Sequence, residues 1–202
     1  MSGLAGWLAE GDLRADGYAD EAVRLIYQHP ELAADLLTTL EHTDTVVRAH
    51  GADALEKLAR TRPDLLKSSL PQLITAAERP EPAAVHMHLA MILGHLAVYP
   101  ELRLDLLHPL LQLLDSTTAF SRCWAISSLC ILARFEPAFS NQVTDKIATL
   151  ASDPSLAVRT RARKAIPLLL NRRSPFPKGW IKSDHLRHLE DRPAGSPDPS
   201  AV

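Results

Sequence analysis

The residues of this chain best equipped for chemistry are its histidines, its two cysteines and one tryptophan. There are nine histidines, and the densest group is His86-Met87-His88 with His95. A zinc site borne on a helix wants histidines at i and i+4 with a third ligand nearby. His86 and His88 point to different faces of one helix, while His88 and His95 stand seven residues apart, about two turns. One helix does not bring them onto a single small ion. His185 and His188 share a face, but in a segment that reads as flexible tail. The expectation is no metal and no cofactor.

Cys123 could be a nucleophile only as an exposed thiol in electropositive surroundings. Its neighbours Trp124, Ile126 and Leu129 predict burial instead. Cys130 lies seven residues on, about 10 Å along a helix axis, so no intrahelical disulfide is possible. Both read as core residues of a reducing, cytoplasmic compartment. No glycine-rich phosphate loop, nucleophile elbow or paired-carboxylate arrangement occurs. The expectation is a non-catalytic protein.

The elements that would position such residues are helices. Of 202 residues 46% are apolar and only 5% aromatic, so the core is built from Leu, Ala, Ile and Val. Between Tyr18 and Lys178 only Gly51 and Gly94 occur, too few glycines for the turns of an all-β fold. No apolar run reaches membrane-spanning length. A formal net charge of −2 argues against a general nucleic-acid binder.

Helical segments repeat. Pro30, Pro63, Pro100 and Pro137, spaced 33, 37 and 37, each follow one apolar-periodic segment and open another. Proline suits the first helical turn, where its missing N–H has no partner to lose. Two residues past each proline stand Leu32, Leu65, Leu102 and Phe139; ten past it stand Leu40, Leu73, Leu110 and Ile147. These second, B helices thus share one register. The preceding A helices start at Val47-Arg48, Val85-His86, Ser121-Arg122 and Val158-Arg159, with Gly51, Leu89, Ala125 and Ala162 four residues on. Small residues at that fourth position predict close helix approach.

Asp44-Thr-Val-Val-Arg48 and Asp153-Pro-Ser-Leu-Ala-Val-Arg159 resemble the start of HEAT repeats, and Pro71 and Pro109 resemble the bending proline that some of these repeats carry. The third repeat departs from the pattern, with His86 where arginine is usual. The resemblance implies an all-α fold: a right-handed α-solenoid of four to five HEAT-like pairs, with B helices lining its concave face. Repeats fall at about 12–43, 44–80, 81–117, 118–154 and 155–173, after an N-terminal segment 1–11. Stacking such pairs is what makes a core. HEAT proteins mostly act as scaffolds, so the resemblance implies binding of a protein partner. HEAT-like alkylpurine glycosylases hold damaged DNA with Trp and Asp on a basic concave face. Here Trp124 has no acid near it in its helix, and residues 45–154 hold ten bases against eleven acids, so the reading is packing rather than catalysis.

Residues 174–202 form a proline-rich tail whose last part, from Arg192, reads as disordered. Phe176, Trp180 and Ile181 are too apolar for a linker: they cap the last helix, or they dock on a partner. Charge is sorted as well. Residues 1–44 hold nine acids against Arg14 and Arg24, while residues 155–182 hold eight bases and no acid. If sequence order is spatial order, one end is acidic and the other basic. The basic end, with Arg159, Arg163, Arg172 and Arg173, is then either a solvated surface or a contact for an acidic partner, nucleic acid included. It could also meet another copy head to tail, so the chain is expected to be a monomer or weakly self-associating. On the concave face the contact candidates are the polar residues between registered apolar ones: Lys67, Gln72, Arg103, Gln112, Asn141 and Lys146.

Overall fold

The computed structural model describes residues 3–13 and 17–191, and among them every regular element is helical. The α-helices are α1 (Leu4–Leu8), α2 (Ala19–Gln28), α3 (Ala33–Thr38), α4 (Thr45–Thr61), α5 (Leu70–Glu78), α6 (Ala83–Leu96), α7 (Arg103–Gln112), α8 (Ala119–Phe135), α9 (Ser140–Thr149) and α10 (Leu156–Leu170). None is long and apolar enough to cross a membrane.

Local chemistry sets the boundaries. Pro30, Pro63, Pro100 and Pro137 each open a short 3₁₀ helix that leads towards α3, α5, α7 or α9. Each expected B helix therefore begins with a tighter turn. The residue before a proline is pushed out of the helical region: Arg62 sits at φ −127°, ψ 55° and Glu136 at φ −124°, ψ 86°. That ends α4 and α8. Asp44 Oδ1 accepts from the Val46 N–H at 2.8 Å and Thr118 Oγ1 from the Ser121 N–H at 3.4 Å, capping the starts of α4 and α8.

The helices pack in two rows. Successive members of α2, α4, α6, α8 and α10 touch one another in an A row. The B row is laid against it: α3 on α4, α5 on α6, α7 on α6 and α8, and α9 on α8 and α10. Between the rows lie Leu55, Leu58, Leu93, Ile126 and Leu129 from one side, with Leu40, Leu73, Leu110 and Ile147 from the other, all buried. The registered B positions thus face the core as their spacing predicts. Close approach needs small residues at two points. A Cβ on Gly51 would lie 2.9 Å from Thr39 Cβ. One on Gly94 would lie 2.7 Å from Ser128 Cβ and 3.2 Å from its Cα.

The first and last described segments join this core. Leu4 and Leu8 are buried, and His50 on α4 ties the N-terminal segment down with Nδ1 2.8 Å from the Leu8 carbonyl and Nε2 3.0 Å from that of Asp12. At the other end, Phe176, Trp180, Ile181, Leu186 and Leu189 are buried. The tail does more than cover the last helix. Residues 174–191 run back across the A row as a strap: Arg134 Nη2 donates to the Ser174 carbonyl at 2.7 Å, and Ser183 Oγ donates to the Arg60 carbonyl on α4 at 3.3 Å. His185 Nε2 lies 2.9 Å from the Thr61 carbonyl, so this histidine is anchored rather than part of a loose tail. The expected disorder of the tail from Arg192 onward lies outside the described residues.

Candidate functional site

The densest group of ionisable side chains lies in the seam between α4 and α6. Spacing within α4 puts Asp53, Glu56, Lys57 and Arg60 on one side of the helix. His88 and His95, two turns apart on α6, meet two different acids across the seam. His95 Nε2 is 3.0 Å from Glu56 Oε1 and His88 Nε2 is 3.7 Å from Asp53 Oδ1. Glu56 is fully buried and also accepts from Arg60 Nε at 2.9 Å. Lys57 Nζ stands 2.7 Å from Asp20 Oδ1 and 3.0 Å from Asp53 Oδ2. Burial pushes the Glu56 carboxyl up, yet the hydrogen bonds from His95 and Arg60 outweigh it and hold the group at about 2. Burial holds the His88 imidazole below its ordinary range, and Asp53 opposes this only in part.

Asp53, Glu56 and His88 offer three ligand atoms within 4.8 Å of one another, a set the histidine spacing on α6 alone does not reveal. The carboxylates of the seam are already paired, however. Lys57 and Arg60 occupy the carboxylate oxygens a cation would need. The arrangement is a partly buried ion-pair network linking α2, α4 and α6.

Beside it runs the strap. The Arg161 guanidinium is held between the Trp124 ring (5.2 Å) and the Trp180 ring (4.7 Å), and donates to Ser127 Oγ at 2.6 Å. Trp124 is thus a packing partner of the strap. Arg134 lies over Phe176 at 4.9 Å. Both cysteines are buried and free. Burial pushes both thiols up, Cys130 to about 12, which is the reverse of what a nucleophile needs. The strap also carries Lys178 and Lys182 over to a shared cleft with Asp20, Lys57 and Arg60. Sequence order is therefore not spatial order for the tail, and part of the basic end meets the acidic one.

On the loop edge, arginines bind the repeats together. Arg48 Nη1 donates to the His42 carbonyl at 2.7 Å and Nε to Glu81 Oε2 at 2.8 Å. Arg122 repeats the arrangement with the Ser116 carbonyl at 2.7 Å and Asp153 Oδ1 at 2.9 Å. Burial raises the Asp153 carboxyl, and Arg122 with the Ser155 N–H more than reverses the effect.

The expected contact residues divide. Gln72, Gln112, Asn141 and Lys146 on the B row are exposed, as are Arg163 and Arg173. Lys67 pairs with Glu101 and lies over the Tyr99 ring at 4.9 Å. Arg103 donates to the Ala97 carbonyl at 2.9 Å and stacks on Phe135 at 4.7 Å. Arg159 donates to the Asp153 and Pro154 carbonyls, and Arg172 to that of Arg134. Those four brace the fold. Sequence reasoning missed the Asp53–Glu56 seam, whose partners come from another helix. It did register His86 as the irregular position, and a groove lies there, lined by His86, Gln112, Asp115 and Ser116 among others. No protein-family model matches the chain, and no curated protein sequence matches it either.

Proposed function

We propose that the chain is a right-handed HEAT-like α-solenoid of four helical pairs and a fifth A-like helix, serving as a non-catalytic protein-binding scaffold. The two-row packing of proline-registered pairs supports the architecture. One observation carries the function: the strap covers part of the A row, leaving Phe120, Leu156 and Leu170 exposed at its margins, and among the described residues it does not pack on the B row. Gln72, Asn141 and Lys146 are exposed there, beside the 73% exposed Leu104 on α7. Two buried free thiols fit a reducing, cytoplasmic setting.

Affinity capture with the intact chain and with Leu104→Asp plus Lys146→Glu tests this. The double variant should lose the partners that the intact chain retains. An unchanged partner set would overturn the B-row reading. Nucleic-acid contact through the basic end is the lesser reading, since Arg159, Arg161 and Arg172 are already engaged within the protein. Its test is duplex and single-stranded DNA affinity at two salt concentrations, where a flat response excludes it.

A further inference from the structure

The loop edge lacks one rung. The A helices place Arg48, Arg122 and Arg159 at matching positions, and α6 places His86 there. Each arginine donates Nη1 to the carbonyl six residues back: His42, Ser116 and Asp153. Arg48 and Arg122 also reach forward to an acid of the next loop, Glu81 and Asp153. His86 is too short for both tasks. Its Nε2 lies 2.9 Å from the Arg79 carbonyl, and among the described residues it makes no forward ion pair.

The next loop has changed to match. Ser116 stands where Asp153 stands one repeat later, each six residues before the arginine that takes its carbonyl. Ser116 Oγ is buried with no hydrogen-bond partner. Both halves of the rung are thus absent, and a groove of about 710 Å³ opens between the two loops. Glu78 and Asp115 on its walls are exposed and form no ion pair among the described residues. Arg79, the guanidinium at the groove, donates Nη2 to the Leu40 carbonyl and Glu81, while its buried Nε has no partner.

We propose that this groove receives an arginine side chain of a protein partner, whose guanidinium replaces the missing rung. Its planar fork donates to the exposed Asp115 carboxylate, with Glu78 as the second acid on the groove wall. The inference rests on the scaffold reading and adds the chemistry of the partner.

The test is an NMR titration of the ¹⁵N-labelled full chain with the peptide Ac-Gly-Arg-Gly-NH₂. Parallel arms use the neutral citrulline peptide and spermidine, a cation without the planar fork. Saturable shifts confined to residues 78–86 and 112–118 are expected for the arginine peptide. Affinity should fall at least about tenfold for both other ligands and in Asp115→Asn. His86→Arg should fill the groove from within, abolish binding and raise the thermal midpoint by about 2 °C. Absence of saturable shifts, or equal binding by Asp115→Asn or by either other ligand, overturns the proposal. Asp115 is exposed, so its variant carries the test even if His86→Arg does not fold. The Leu104→Asp plus Lys146→Glu variant should bind the peptide unchanged, which separates failure here from failure of the B-row reading.

Discussion

The outer side of the A row and the loop edge both bury ion pairs, and they differ at one junction. Along the A row, Glu56 is buried between Arg60 and His95, Asp53 is shared with Lys57, and Arg161 is closed between two indole rings. Each carboxylate there has a cationic or imidazole partner within the chain, although His88 Nδ1 and His95 Nδ1 stay buried without a hydrogen-bond partner, and residues 174–191 lie over part of the row. At the loop edge the same ladder of arginines serves two junctions and stops at His86, leaving Asp115 exposed and Ser116 Oγ without a partner. Burying a charge is tolerable only when it is paired, so the closed region must complete its network internally. The loop edge completes its buried pairs Arg48–Glu81 and Arg122–Asp153 in the same way, and at the His86 junction an exposed acid stands without an ion pair among the described residues. Closure marks the part of the protein that holds itself together, and incompleteness marks where to look for a partner.

The strongest way to break this contrast is to open the closed side. Trp180→Ala removes a buried indole and one wall of the Arg161 stack, and should cost about 3–5 kcal/mol in chemical denaturation. A loss under about 1 kcal/mol would mean that the strap is not part of the cooperative fold. Next in size, Glu56→Gln leaves Arg60 and His95 facing a neutral group. It should cost about 3 kcal/mol near neutral pH, read from the same denaturation curves.

The pH response sharpens that second case. The Glu56 carboxyl lies at about 2 in the fold against an ordinary 4.5, so its contribution is complete above 4.5 and fades as pH falls from there towards 2. Denaturation midpoints of the wild type should fall across that window, and those of Glu56→Gln should fall less. His88 has the same sign at higher pH. Its folded-state pKa is depressed, so stability declines as pH drops below about 6.5, and His88→Gln should flatten that limb.

Gly94→Ala forces a methyl against Ser128 and should cost about 1–3 kcal/mol, measurable as a lowered thermal midpoint. On the open side, Leu104→Asp should change stability by no more than about 0.5 kcal/mol in the same assay, since the side chain packs against little. A large loss there would show that the B row is not a free surface.

Much of the fold was legible because its signals are local. Proline at the first turn, Asp44 at a cap and apolar residues at helical offsets act within a few residues of themselves, and α4, α6, α8 and α10 each start two residues ahead of the expected Val47, Val85, Ser121 and Val158. The site was legible only at His86, where a break in the repeat was visible as a break. Lys67, Arg103, Arg159 and Arg172 illustrate the opposite. As polar residues on amphipathic helices they looked available, and only packing shows them bonded to carbonyls, to Glu101 or to aromatic rings.

The amino-acid sequence by itself determined the helices, the register of the B row and the place where the ladder fails, because these follow from residue spacing along one chain direction. Tertiary structure alone decided which charges meet. His95 reaches Glu56 across 39 positions, and Ser183 reaches the Arg60 carbonyl across 123. No periodicity encodes such pairs. The first arises where α6 packs on α4, and the second when burial of Phe176, Trp180 and Ile181 draws the tail back over the A row and brings part of the basic end of the chain to the acidic one.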